Sequence, residues 1–153
     1  MTILGLMHLG LMIAALLLGA AILARRKGDG QHKRMGHLFV SMMVLSNLIV
    51  FGIHEDTEAL GIFHYLAIVS LMSLGAGVLL ARYSRGRVSR KITHGHVMLW
   101  TYGGMGAAGV GQAATALGYS PWPGIVGTLA LVAFAVLRLD FRAMLMPQRT
   151  GAK

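Results

Sequence analysis

The distribution of charge along the chain constrains its fold more than any other feature. Lys, Arg, Asp and Glu are absent from Met1 to Ala24, from Met35 to His54, from Ala59 to Ala81 and from Ile92 to Leu137. About 20 apolar residues at ~1.5 Å rise cross the ~30 Å hydrocarbon layer of a bilayer, so each of the first three gaps holds one helix. The last gap runs for 46 residues and is interrupted by Gly118-Tyr119-Ser120-Pro121-Trp122-Pro123-Gly124. Its two prolines and turn-forming neighbours cannot continue a helix, so the segment folds back and gives two. The sequence thus predicts an all-α membrane protein: a bundle of five transmembrane helices over about 3–24, 36–53, 60–81, 94–116 and 123–138, forming one integral membrane domain across 1–153.

Composition agrees. Apolar types make up 56% of the chain and charged types 12%, more oil than a soluble domain of this size can hide. The absence of cysteine removes thiol catalysis, iron–sulfur clusters and thiolate zinc sites. Charge also orients the bundle. Numbering the loops alternately puts all 14 basic residues on one side: Arg25, Arg26, Lys27, Lys33 and Arg34; Arg82, Arg85, Arg87, Arg90 and Lys91; and Arg138, Arg142, Arg149 and Lys153. The other side carries Glu55, Asp56 and Glu58. Basic residues accumulate on the cytoplasmic face, which places the N-terminus outside and the C-terminus inside a bacterial inner membrane. Four spans would leave the last basic tail on the wrong side.

A cleaved signal peptide is the competing reading of the first segment. It is the weaker one, because Met1-Thr2-Ile3 holds no basic residue and Arg25-Arg26 follows the apolar run. The net charge of +9 is then explained by anionic lipid headgroups, and nucleic acid is not an expected partner because few aromatic residues are interleaved with the basic loops. The expected partners are the lipid bilayer and other membrane subunits or further copies of the chain.

Helices meet in lipid through small residues that let backbones approach. Gly103, Ala107, Gly111 and Thr115 recur every four residues in the fourth span, as do Ser73, Gly77 and Ala81 in the third, so each set forms a packing stripe facing the other or a neighbouring helix. The glycines from Gly103 to Gly111 do not form a nucleotide loop, since no strand precedes them. The 11 methionines lack recurrent spacing and read as filler. Ser46, Asn47, Ser70, Thr101, Tyr102 and Gln112 are polar at depth, as an interhelical hydrogen-bond network or the lining of a cofactor or proton path requires.

Seven histidines carry the functional information, because ionisable groups in or at the ends of spans mark sites. His8, His54 and His64 fall near the outer face. His32, His37, His94 and His96 gather at the cytoplasmic ends of the second and fourth spans. Spacing prevents a single helix from chelating a metal with either inner pair, so any site is assembled between helices. Two tiers of imidazole suit an electron carrier with haem b held between facing helices, by His8 with His64 outside and by His32 or His37 with His94 inside. Two other classes compete. One is a cofactor-free structural or assembly subunit docking through the glycine face of the fourth span. The other is a metal-ion or proton permeation component with an outer site of His54, His64, Glu55, Asp56 and Glu58. No serine–histidine pair, carboxylate dyad or phosphate cradle points to hydrolase or transferase chemistry.

Three segments carry a family likeness: Lys27-Gly28 with His32-Lys33-Arg34-Met35-Gly36; Phe63-His64-Tyr65-Leu66-Ala67-Ile68-Val69-Ser70-Leu71; and His94 with Met98, Trp100 and Tyr102. Over roughly positions 8 to 104 the chain resembles a bacterial family of predicted membrane proteins, domain of unknown function 2306. The resemblance implies that His32, His64 and His94 are the family-type histidines. His37 and His96 stand where that pattern tends to carry arginine. It implies no particular activity.

Overall fold

The computed structural model describes residues 2–25, 27–53, 61–84 and 86–140. Five helices account for nearly all of them, α1 (Ile3–Ala24), α2 (Gly30–Val50), α3 (Ile62–Arg82), α4 (Val88–Ala116) and α5 (Trp122–Arg138), with no strand among the described residues. The helix count matches the charge gaps. The starts of two helices do not: α2 begins at Gly30 rather than about 36, and α4 at Val88 rather than about 94. The reason is local. Asp29 caps α2, its Oδ1 accepting the His32 amide at 2.6 Å, so the helix starts at its cap rather than at the first apolar turn.

Turns between the helices use glycine where the backbone must turn left-handed. Gly118 has φ +79°. Its amide bonds the Thr115 carbonyl at 3.0 Å and the Tyr119 amide bonds that of Ala114 at 2.9 Å, the paired bonds of a Schellman motif, and Pro121 then bars continuation. At the basic end, cations cover the last carbonyls of two helices. Lys27 Nζ donates to Ile22 and Leu23 of α1, and Arg90 Nη1 donates to Tyr83 just beyond α3. Positive charge at a helix C-terminus opposes the negative end of its dipole.

The first four helices close a ring in which α1 touches α2 and α4, and α3 touches α2 and α4; α5 packs on α4 alone. A side-chain hydrogen bond crosses every seam of the ring. His8 Nδ1 meets Ser46 Oγ at 2.9 Å between α1 and α2. Asn47 Nδ2 donates to Ser70 Oγ at 3.2 Å between α2 and α3. Thr101 Oγ1 lies 3.1 Å from Ser73 Oγ between α4 and α3. Tyr102 donates to the Leu16 carbonyl at 3.1 Å between α4 and α1. Within the ring, Ala15, Phe39, Met43, Leu74 and Met105 form the buried cluster. Gly19 is what admits Tyr102 to its seam, since a Cβ there would sit 2.5 Å from the tyrosine ring.

The α4–α5 seam is built differently. Gly103 faces Val132, Gly111 faces Ile125 and Gly124 faces Val110. The stripe Gly103, Ala107, Gly111 is therefore covered by α5, whereas Ser73 and Gly77 of α3 face Thr101 and Met98 of α4. The two stripes do not face each other. The glycine face proposed as a docking surface for a partner subunit is taken up within the chain itself.

Many large apolar side chains among the described residues point outward, with Leu137, Ile3 and Leu117 among the most exposed. By length and apolarity, α1 and the His64–Arg82 part of α3 are able to cross a membrane; α5, at 17 residues, is apolar but shorter. The expectation of five spans is thus met by two helices on this criterion. The charged first turns of α2 and α4, and the glycine, alanine and threonine that fill α4, lower their apolarity while serving packing.

Candidate functional site

His94 lies two turns into α4, on the side facing α3. Its Nδ1 is 2.8 Å from the Gly77 carbonyl. A carbonyl only accepts, so Nδ1 is the donor in this bond. The sequence around Gly77 makes the contact possible, because a Cβ at that position would lie 2.6 Å from Met98 Sδ and push α3 and α4 apart. Fixing one ring nitrogen on a carbonyl while the other stays basic is the arrangement that orients imidazole ligands in metal centres.

His32 lies in the first turn of α2. The helices that carry the two residues, α2 and α4, are diagonal in the ring with no direct backbone contact among the described residues. His32 precedes the apolar stretch of α2. Burial first, then the Lys27 and His94 charges, push its imidazole below the ordinary 6.5, against an opposing pull from Asp29. Its Nδ1 is buried and has no hydrogen-bond partner. A buried polar atom left without one calls for an explanation, and a ligand is one of the few available.

The other histidines are placed elsewhere. His37, offered as an alternative partner of His94, is exposed; five residues after His32 on the same helix, it points away from the interior. His8 Nδ1 has both Ser46 Oγ at 2.9 Å and the Ser46 carbonyl at 3.2 Å within reach, so either tautomer is satisfied there. His64 Nδ1 accepts the Gly61 amide at 3.1 Å and caps its own helix, with its ring 5.8 Å from that of Phe51. The expected outer pair is thus divided: His8 is engaged with α2 and His64 with the start of α3. His54, Glu55, Asp56 and Glu58 lie outside the described residues. Among those described, no three histidine or carboxylate side chains gather as a metal site.

Two residues have roles that sequence reading did not give them. Gly77, expected as a packing residue, offers its carbonyl to His94. Lys27, read as a topology charge and as part of a family-like segment, covers the end of α1.

The chain matches no family model, no curated protein and no solved structure. The three segments quoted above therefore carry the likeness to the domain-of-unknown-function family by themselves, and the reading of function rests on the site.

Proposed function

We propose that this is an integral protein of a bacterial cytoplasmic membrane that crosses it five times, N-terminus outside and C-terminus inside, and binds one b-type haem near the cytoplasmic face between His32 and His94. The role that follows is electron transfer or redox support of a larger membrane assembly. The multi-span reading is supported by the outward-facing apolar side chains and by the gathering of basic loops at one end. Exposed Tyr119 and Trp122 at the α4–α5 turn, and Tyr83 after α3, fit the aromatic girdles found at the two interfaces. On this reading α4, at 29 residues, extends about 43 Å and carries its first turns into the headgroup layer, where Arg90 and Lys91 meet anionic lipid.

Two observations support the haem assignment: His94 Nδ1 is held on the Gly77 carbonyl, and Nδ1 of His32 is buried without a hydrogen-bond partner among the described residues. Imidazole is a common ligand of haem iron, and His32 and His94 are the residues that would hold it. The iron would supply one-electron chemistry. The chain supplies the ligands, their orientation and the apolar walls.

Protein purified from haem-replete cells tests this. A Soret band that shifts on dithionite reduction, at about one haem per chain by the pyridine haemochrome method, is the expected result. Colourless protein free of iron contradicts it.

A further inference from the structure

Polar groups inside the bundle form one line that crosses three helix seams. His8 Nδ1 of α1 lies 2.9 Å from Ser46 Oγ of α2. Asn47, the next residue of α2, donates through Nδ2 to Ser70 Oγ of α3 at 3.2 Å. Ser73 Oγ, about one turn further along α3, donates to the Ser70 carbonyl at 3.0 Å and lies 3.1 Å from Thr101 Oγ1 of α4. Thr101 reaches the Val97 carbonyl at 2.9 Å, and the Val97 side chain packs against Gly77, whose carbonyl holds His94. By helical rise the line begins about 6–8 Å from the end of the bundle where α1 starts and finishes about 8–9 Å from the basic end. Ser46, Asn47 and Thr101 on it are buried.

Two features fit this line to protons. At its centre acceptors outnumber protons: Thr101 has one hydroxyl proton for Ser73 Oγ and the Val97 carbonyl, and Ser73 has one for the Ser70 carbonyl and Thr101 Oγ1. A hydroxyl so placed turns between two acceptors while its side chain stays packed, which is the reorientation a proton relay needs. The oxygens are also strung singly across the seams, whereas a hard metal cation takes a shell of roughly six or more gathered about one point. We propose that this line is a proton path through the bundle. Each hop breaks one O–H bond as the next forms, so a proton enters at one end and leaves at the other with no net chemistry. Asn47 and the main-chain carbonyls orient the line, and water bridges the steps that they interrupt. The path rests on the membrane reading above and is independent of haem.

The test uses the full-length protein, as purified, in vesicles of phosphatidylcholine and phosphatidylglycerol that hold a pH-sensitive dye, with a potassium gradient and valinomycin setting the voltage. Flotation with the lipid reports insertion, and circular dichroism reports the helicity of each variant. Wild type is expected to carry protons faster than protein-free vesicles do, at a rate unchanged when sodium is replaced by choline. Asn47→Leu, Thr101→Val and Ser73→Ala, the last removing a hydroxyl with the least change of volume, are each expected to slow that flux about five- to tenfold. Thr128→Val, whose hydroxyl bonds the Gly124 carbonyl within α5 and lies off the line, is expected to conduct as wild type does. If wild type floats with the lipid and gives no flux above empty vesicles, if the three variants conduct as wild type does, or if Thr128→Val slows the flux equally, the path is overturned while the membrane reading stands. If the protein does not float with the lipid, the membrane reading fails and the path with it.

Discussion

His94 Nδ1 lies 2.8 Å from the carbonyl of Gly77, and the contact joins α4 to α3. The geometry depends on the absence of a side chain at Gly77, where Met98 and Val97 of α4 pack directly against the backbone. A packing residue and a candidate ligand are thus parts of one device. Small residues in α3 set the helix separation at which the histidine of α4 reaches a main-chain acceptor.

The site assigns different fates to histidines that sequence reading had grouped. His32→Ala and His94→Ala are expected to abolish the pigment of purified protein, whereas His37→Ala, on the exposed face of α2, and His64→Ala, at the start of α3, leave it in place. Absorbance per chain of the four variants, measured on protein of equal helicity, checks this.

Attachment of α5 rests on glycines that let it approach α4 closely. Gly103→Leu drives a branched side chain into Val132 and is expected to destabilise the α4–α5 seam by about 1–3 kcal/mol. The chain has no cysteine, so an engineered pair reads the seam directly. A Cβ at Gly124 lies 3.8 Å from that of Val110, the separation a disulfide takes. Val110→Cys with Gly124→Cys should oxidise efficiently in an otherwise unchanged chain and poorly when Gly103→Leu is added.

Each seam bond of the four-helix ring is expected to be worth little alone. Removing one by Thr101→Val or Asn47→Leu should lower stability by about 0.6 kcal/mol, and by less than about 2 kcal/mol, because the membrane-embedded reference state also satisfies such groups. Unfolding in mixed micelles measures it. The larger effect is expected on uniqueness of packing, seen as broader linewidths in spectra of the Asn47→Leu protein.

Topology is testable with single cysteines in the same cysteine-free background. In intact cells a membrane-impermeant maleimide should label Thr2→Cys and leave Arg87→Cys unlabelled; in inverted vesicles the pattern should reverse. Labelling of both positions from one side contradicts an odd number of crossings between them and the orientation argued from the basic loops.

The five helices were legible because charge and proline punctuate the sequence where the chain leaves an apolar environment. Their starts were less so. Lys33, Arg34, Arg90 and Lys91 mark the edge of the apolar stretches, yet helix geometry continues through them to Asp29 and Arg87, since long basic side chains are good helix formers that reach outward. Spacing told that His32 and His37 occupy different faces but not which faces inward; that depends on how α2 is turned by Phe39, Met43, Ser46 and Asn47, all buried. The stripes of small residues announced close approach without naming the partner. Gly103 and Gly111 have nothing in sequence to match them to Val132 and Ile125 rather than to α3. The polar partners of the outer histidines were not legible in sequence: Ser46 for His8 and the Gly61 amide for His64.

The most direct test of the imidazole pair is the electron paramagnetic resonance spectrum of the oxidised, haem-loaded protein. Two axial imidazoles give a low-spin ferric signal, and its conversion to high-spin iron or loss of haem in both His32→Ala and His94→Ala is the predicted result. A high-spin wild-type spectrum, or a low-spin signal that survives both substitutions, would contradict the pairing of these two residues.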